Sequence, residues 1–238
     1  MDATQVYKEI SDALDCFHED TPAYKLYEFK LRGLLDKCRA EIESNTLSGD
    51  KKDRFKAALS FAKYCQKEMS DSKPMLAGAW VDEMGRQGIC DKISMAVYEI
   101  PYAGLPMADI AVGEKTLRID EITPKGYDAS GILPDPRNLK AAVKSAKLDF
   151  RGPTKDFEHL TFIHTGESPQ SVICLGTEVL IRAIECAGSQ AFEYFQDNPL
   201  KPIKITGDKC YVLLVPVKFF PPEDGEPERP YYDHYITR

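Results

Sequence analysis

KPMLAGAWVDEMGRQGICDKISMAVYEI, residues 73–100, is the stretch on which the fold turns. Before it the chain carries one proline, Pro22, and two glycines; from it onward come the other fifteen prolines and thirteen glycines. Proline and glycine punctuate turns and interrupt helices, so the change separates a helical N-terminal part from a part made of short strands, turns and a few helices. Inside the stretch, Met75, Leu76, Trp80 and Met84 read as a helix reaching about Gly88. Ile93, Met95 and Val97 then alternate with Ser94, Ala96 and Tyr98, the period of a strand, which ends at Pro101. Residues 73–91 are therefore expected to be a docking helix or connector, with the only tryptophan at its centre.

Upstream, three amphipathic helices are expected. Val6, Ile10, Leu14 and Phe17 fall at helical steps behind a start at Asp2 or Thr4. Thr21-Pro22 reads as an N-cap followed by proline at the first helical position, and Leu26, Phe29, Leu34, Leu35, Cys38 and Ile42 carry the second helix to about Asn45. The third follows SGD at 48–50, with Phe55, Leu59, Ala62, Cys65 and Met69 along its face. Short connections between such helices suggest an antiparallel bundle over residues 1–72, with an apolar face left over for a partner.

Downstream, residues 92–220 are expected to form a mixed body. Ala108–Val112 and Thr116–Thr123 flank GEK as a hairpin, and PKGYDASGILPDP, residues 124–136, reads as a long loop. Arg137–Leu148 reads as a helix and Glu158–His164 as a strand; Ser171–Leu175 fits either a strand or the opening of a helix. A helix starting at Gly176-Thr177-Glu178 is expected to run to about Asp197, ahead of Pro199 and Pro202. Ile203–Ile205 and Cys210–Phe219 make a second hairpin about Gly207-Asp208. Residues 221–238, PPEDGEPERPYYDHYITR, are too rich in proline and charge to pack on their own and read as a C-terminal arm. The expected fold class is α+β: an N-terminal antiparallel helical bundle, an α+β body with short antiparallel hairpins, and an extended arm.

Composition bounds the function. At 238 residues and 43% apolar the chain can bury a real core, and 31 basic against 38 acidic side chains leave no broad phosphate-binding surface. The nearest approach to a basic patch, Lys140, Lys144, Lys147 and Arg151, reads as the solvated face of a helix. Tyr98, Tyr102, Tyr127, Tyr231, Tyr232 and Tyr235 sit among acidic residues, which argues against a nucleic-acid partner. There is no run of eighteen apolar residues and no basic-then-apolar leader, so no membrane association or secretion is expected. Seven cysteines without metal-ligand spacing, with Cys16, Cys38 and Cys65 on helical apolar stripes, read as reduced thiols in a cytoplasmic setting, of a cell or of an infected host. No cofactor or metal is expected.

Among candidate chemistry, the four histidines are the scarcest resource. His159 and Thr161 lie two residues apart and so share one side of their strand, while His164 faces the other way. The tripeptide His159-Leu160-Thr161 resembles the His-x-Thr half-motif of the 2H phosphoesterases, whose two histidines act as acid and base while the hydroxyls hold a phosphate oxygen. The resemblance covers residues 157–238, with His234 in the second half. It departs from the family there, because Thr237 lies three residues after His234 and faces away from it. It would imply a phosphodiesterase acting on a cyclic nucleotide or an RNA end. Cys174 or Cys210 with His164, and the carboxylates Asp109, Asp120, Glu121, Asp128 and Asp135, are weaker candidates; the cysteines lie in apolar runs that suit packing.

The leading expectation is a binding or assembly subunit without catalysis, of the kind found among viral or phage structural components. A helical face and the arm would make protein contacts, including self-association, with Trp80, Tyr231, Tyr232 and Tyr235 as contact residues. A small nucleotide enters only under the phosphodiesterase alternative.

Overall fold

The computed structural model describes residues 2–15, 22–70, 77–108, 118–149, 159–166 and 172–218. The chain divides into two compact units, one comprising residues up to Asp91 with Ile100–Thr116, the other Lys92–Glu99 with Leu117 onward. Helices and antiparallel sheet are both present, and the fold class is α+β.

The first unit opens with α1 (Ala3–Asp15), α2 (Pro22–Thr46) and α3 (Gly49–Ser70), where the helical periodicity placed them. The Asp2 carboxylate accepts the Gln5 N–H at 2.8 Å, so the first helix has its N-cap. Along α3, the expected Phe55, Ala62, Cys65 and Met69 are buried, joined by Ala58 and Phe61, while the expected Leu59 is half-buried. Leu34 departs from the reading: it is exposed, while its neighbour Leu35 is buried.

The docking helix does not form. Trp80–Val81 (β1) and Gln87–Cys90 (β2) are instead an antiparallel hairpin with Trp80 opposite Gly88. Asp82 pins the turn: its carboxylate accepts the Met84 and Arg86 N–H groups at 3.0 and 2.9 Å, and Arg86 Nε and Nη2 at 2.9 and 2.7 Å. Gly85 supplies the left-handed backbone at φ 77°. What overrides the helical pattern is a distant segment. Ala79 N–H donates to the Pro106 carbonyl at 2.7 Å and its own carbonyl accepts from Ala108 N–H at 2.8 Å. A Cβ on Gly78 would lie 2.4 Å from the Ala108 nitrogen, so this approach is open only to glycine.

The second unit holds β3 (Ser94–Tyr98), α4 (Ile119–Ile122), β4 (Ala129–Ile132), α5 (Pro136–Asp149), β5 (Leu160–His164), β6 (Val172–Gly176), α6 (Thr177–Ala187), β7 (Ala191–Tyr194), β8 (Ile203–Thr206) and β9 (Cys210–Leu214). Five strands run antiparallel in the order β3–β9–β8–β7–β4, and β5–β6 form a separate hairpin. Helix α6 packs on β9, β3 and β8 with Leu180, Ala183, Ile184 and Ala187 buried, over Ile203, Ile205 and Val212, which are also buried. The β8–β9 hairpin, β5 and α5 match the sequence reading, and β6 takes the strand alternative of the two left open at Ser171–Leu175. β3 is a strand where the alternation placed one, and all five of its residues are buried.

Three further elements differ from expectation. The helix expected to reach Asp197 stops at Ala187, because Gly188 takes φ 64° and its N–H closes onto the Ile184 carbonyl at 2.9 Å. Ala191–Tyr194 is then free to pair with β4 and β8. The supposed long loop at 124–136 contains β4, whose register with β7 sets Ala129 opposite Tyr194. Ile119–Ile122, read as part of a strand, is one helical turn, closed by the Thr123 N–H and hydroxyl on the Ile119 carbonyl at 2.9 and 2.8 Å. The strand partner expected over Ala108–Val112, apart from Ala108, and the arm at 221–238 lie outside the described residues.

Candidate binding cleft

Arg39, Ile42, Glu43 and Thr46 recur at steps of three, one and three along α2, so they share one helix face. With Tyr7 of α1 and Ala103 they line a cleft of about 400 Å³, a volume within the usual range for small ligands or a short peptide side-chain group. Residues 100–108 close one wall. The Gln87 side-chain amide donates to the Tyr102 carbonyl at 3.1 Å and accepts the Tyr102 N–H at 2.9 Å, reproducing a strand partner. Tyr102 in turn sits against Phe55, ring centroids 5.4 Å apart. Gly104 then lies so close to α2 and α3 that a Cβ would be 2.9 Å from the Phe55 ring and 3.0 Å from the Ala40 Cα, and its N–H donates to the Glu43 carboxylate.

The charged wall is set by one aromatic contact. Arg39 donates to the Tyr7 hydroxyl from Nη2 at 3.0 Å and from Nε at 3.4 Å, and its guanidinium carbon lies 5.3 Å from the Tyr7 ring centroid. That distance is within cation–π range, and the two contacts together fix the plane of the guanidinium. Burial raises the Glu43 carboxyl above its ordinary value, with the Gly104 N–H opposing it. Burial also raises Asp36, against the lowering pull of Arg39 and Arg32. Chemically, the cleft offers a planar, permanently charged donor beside an apolar wall of Ile42 and Ala103. That is equipment for recognising an oxyanion on an otherwise apolar group.

A second polar cluster lies in the other unit. His159 and Thr161 do share a side of their strand: His159 Nδ1 is 2.7 Å from the Thr177 hydroxyl, and the Thr161 hydroxyl is 2.8 Å from the same oxygen. Thr177 opens α6, and its N–H donates to the His159 carbonyl at 2.8 Å. All three residues are buried, His159 at 3% exposure and the two threonines at 0%. The network joins the start of α6 to the β5–β6 hairpin. His234, the second histidine of the phosphoesterase resemblance, lies outside the described residues, as do Tyr231, Tyr232 and Tyr235.

Trp80 is 1% exposed, its ring lying on Gly88, where a Cβ would come within 2.5 Å. The weaker candidates disperse. Cys174 is buried with Leu160 and Phe162, and His164 is exposed at the end of β5. Burial pushes the Cys186 thiol up to about 12, against the lowering effect of a 2.8 Å hydrogen bond with the Tyr98 hydroxyl. Asp120 and Glu121 fall on α4, Asp128 accepts the Gln196 N–H at 2.8 Å, and Asp135 accepts the Arg137 N–H at 2.7 Å at the start of α5. Asp109 lies outside the described residues. Lys147 pairs with Glu178 at 2.6 Å and Lys140 with Glu185, tying α5 to α6. Among the described residues no three His, Cys, Asp or Glu side chains gather in a metal-holding group, and no helix is long and apolar enough to cross a membrane.

Sequence reasoning missed the cleft. Arg39 and Glu43 look like a solvated face of α2, and nothing local marks Tyr7, 32 residues away, as the partner of Arg39.

No family model matches the chain, and no curated protein matches it in sequence. Solved structures with partial likeness include a putative DNA polymerase III beta subunit from Eubacterium rectale ATCC 33656, at 13% identity and TM-score 0.44 over 68% of this chain and 64% of that one. A Helicobacter pylori beta clamp bound to a DNA ligase peptide aligns at 10% identity and TM-score 0.45 over 68% and 63%. The DNA polymerase III beta chain of Streptococcus pneumoniae TIGR4 aligns at 10% and 0.44, again over 68% and 63%. The aligned part spans less than two thirds of each of these three chains. Likeness at this level assigns this chain neither a family nor an activity.

Proposed function

We propose that the chain is a non-catalytic binding or assembly subunit, with the helical part at 1–72 and the arm at 221–238 as its protein-contact elements. The observation that carries the reading is the Tyr7–Arg39 cleft. It holds a fixed cationic fork beside the apolar side chains of Ile42 and Ala103, an arrangement suited to recognition. Self-association through the arm is the form of assembly favoured, because a proline-stiffened segment loses little entropy when it docks. Light scattering on the full chain and on a chain ending at residue 220 tests it: the full chain should be oligomeric and the truncated one smaller by whole subunits. A monomeric full chain whose state does not change on truncation would sink self-association through the arm.

A second reading, hydrolysis of a cyclic nucleotide or RNA end through His159, Thr161 and His234, has one observation in its favour, the shared side of His159 and Thr161. Burial of all three network members favours a structural pin. A hydrolysis assay of cyclic nucleotides with the wild type and His159→Asn decides between them. Turnover by the wild type that the substitution abolishes would restore the enzymatic reading.

A further inference from the structure

We infer that the Tyr7–Arg39 cleft is the acceptor for the acidic, proline-rich start of the arm, residues 221–230, of a second copy of this chain. The inference rests on the assembly reading above and adds the place where the arm seats and the residue that selects it.

Arg39 differs from five other described arginines. Arg32, Arg86, Arg118, Arg137 and Arg182 each have a carboxylate within 4.0 Å in their own stretch of chain, on Glu28, Asp82, Glu121, Asp135 and Glu178 respectively. Among the described residues Arg39 instead spends Nε and Nη2 on a phenolic hydroxyl, and Nη1 makes no hydrogen bond. Asp36 acts on it only through space, and the Glu43 carboxylate is engaged by the Gly104 N–H. The Thr46 hydroxyl donates back to the Glu43 carbonyl at 2.8 Å. The fork is thus held flat at the wall of a 400 Å³ cleft with donor capacity unused, and a guanidinium in that state is selective for a carboxylate.

The sequence holds one segment with the complementary chemistry. Residues 221–230, PPEDGEPERP, carry Glu223, Asp224, Glu226 and Glu228 against a single arginine, Arg229, and four prolines. Proline rings suit the Ile42 and Ala103 side of the cleft, and the carboxylates suit Arg39. Proline restricts the conformations open to an unbound chain, so a segment with four of them has less entropy to lose on docking.

The test uses the full chain. Sedimentation equilibrium should show that Arg39→Gln weakens self-association at least tenfold, that replacing all four arm carboxylates by amides does the same, and that combining the two costs no more than either alone. Arg39→Lys, which keeps the charge but loses the fork, should fall between. Unchanged circular dichroism and thermal midpoints keep a folding defect from imitating the result. An unchanged dissociation constant for Arg39→Gln, or additive effects, overturns the inference; if deleting 221–238 still dissolves the oligomer, the assembly reading survives without it. Should the wild type be monomeric, that reading fails, and a labelled synthetic peptide of residues 219–238 titrated into the full chain tests the cleft directly. Binding weakened tenfold by Arg39→Gln then supports the inference. Equal binding of a scrambled peptide of the same composition, or insensitivity to Arg39→Gln, overturns it.

Discussion

The two polar clusters of this protein use similar groups to different ends. Around Thr177, a hydroxyl at the first turn of α6 receives His159 and Thr161 inside the protein, and all three side chains are buried. Around Arg39, a guanidinium is oriented by the Tyr7 ring and hydroxyl, but at the wall of an open cleft. The first cluster is enclosed, so losing a member exposes its partners to the full cost of desolvation without compensation. The second is open to solvent, so losing a member should cost little stability and, on the reading proposed above, remove a recognition element. The lesson is that the residue types which first attracted a catalytic reading, a histidine with a threonine two residues on, form a buried network with Thr177. A tyrosine–arginine pair with no sequence signature lines an open cleft.

The sharpest way to break this comparison is at Thr177. Thr177→Val keeps the shape and removes the oxygen that serves both His159 and Thr161, and should destabilise the protein by about 2–4 kcal/mol in urea denaturation. A loss below about 0.5 kcal/mol, the range of ordinary surface substitutions, would mean that the cluster is not the pin described.

The Asp82–Arg86 turn offers the same contrast within the first unit. Asp82→Ala should cost about 1–3 kcal/mol, since it removes four hydrogen bonds from one carboxylate. Burial tends to raise the Asp82 carboxyl, but the Arg86 side chain and N–H, with the Met84 N–H, hold it below its ordinary 3.8. A folded-state value below the unfolded one means that this stabilisation is fully present above about pH 4 and is lost as the pH falls through the folded-state value. The gap between wild type and Asp82→Ala should therefore be constant from neutral pH to about pH 5 and narrow in more acidic solution. A gap that does not narrow in acid would remove the charge-assisted turn from the account.

Thr161→Val tests one edge of the enclosed cluster. It should cost about 1 kcal/mol, because Thr177 keeps its contact with His159. A loss as large as that of Thr177→Val would show that the cluster behaves as one unit and not as two bonds sharing an oxygen.

Smallest in stability, and the most informative for function, are Tyr7→Phe and Arg39→Gln. Each should change unfolding free energy by no more than about 0.5 kcal/mol, measured in the same denaturation series. A cost above about 2 kcal/mol, the scale of a broken buried network, would make the cleft a structural cluster like the other and erase the distinction between them.

Much of the architecture was legible. Phe55, Ala62, Cys65 and Met69 announced α3, and Gly207-Asp208 between Ile203–Ile205 and Cys210–Phe219 announced the β8–β9 hairpin. At Gly207 the chain passes so close to α6 that a Cβ would stand 1.9 Å from the Ala187 carbonyl oxygen, a constraint invisible in the sequence itself. The cleft was not legible, and the buried cluster was half so: the shared side of His159 and Thr161 followed from strand period, but their common partner Thr177 sits on another element. Trp80 was singled out for its rarity, and packing on Gly88 explains its burial.

What this sequence determined alone was whatever a period can encode: three N-terminal helices, α5, the strands at 160–164, 203–206 and 210–214, and the α+β class. These depend on side chains repeating within a few residues, and the hydrophobic effect reads that repetition locally. The tertiary structure decided the rest. Residues 77–90 are a hairpin and not a helix because residues 100–108 supply backbone partners and glycines admit the approach. Ala191–Tyr194 is a strand because Gly188 ends α6 and β4 and β8 lie on either side. The cleft exists because Tyr7 and Arg39, on separate helices, meet. A hydrogen bond between residues 32 apart is chosen by packing, which no local pattern of residues specifies.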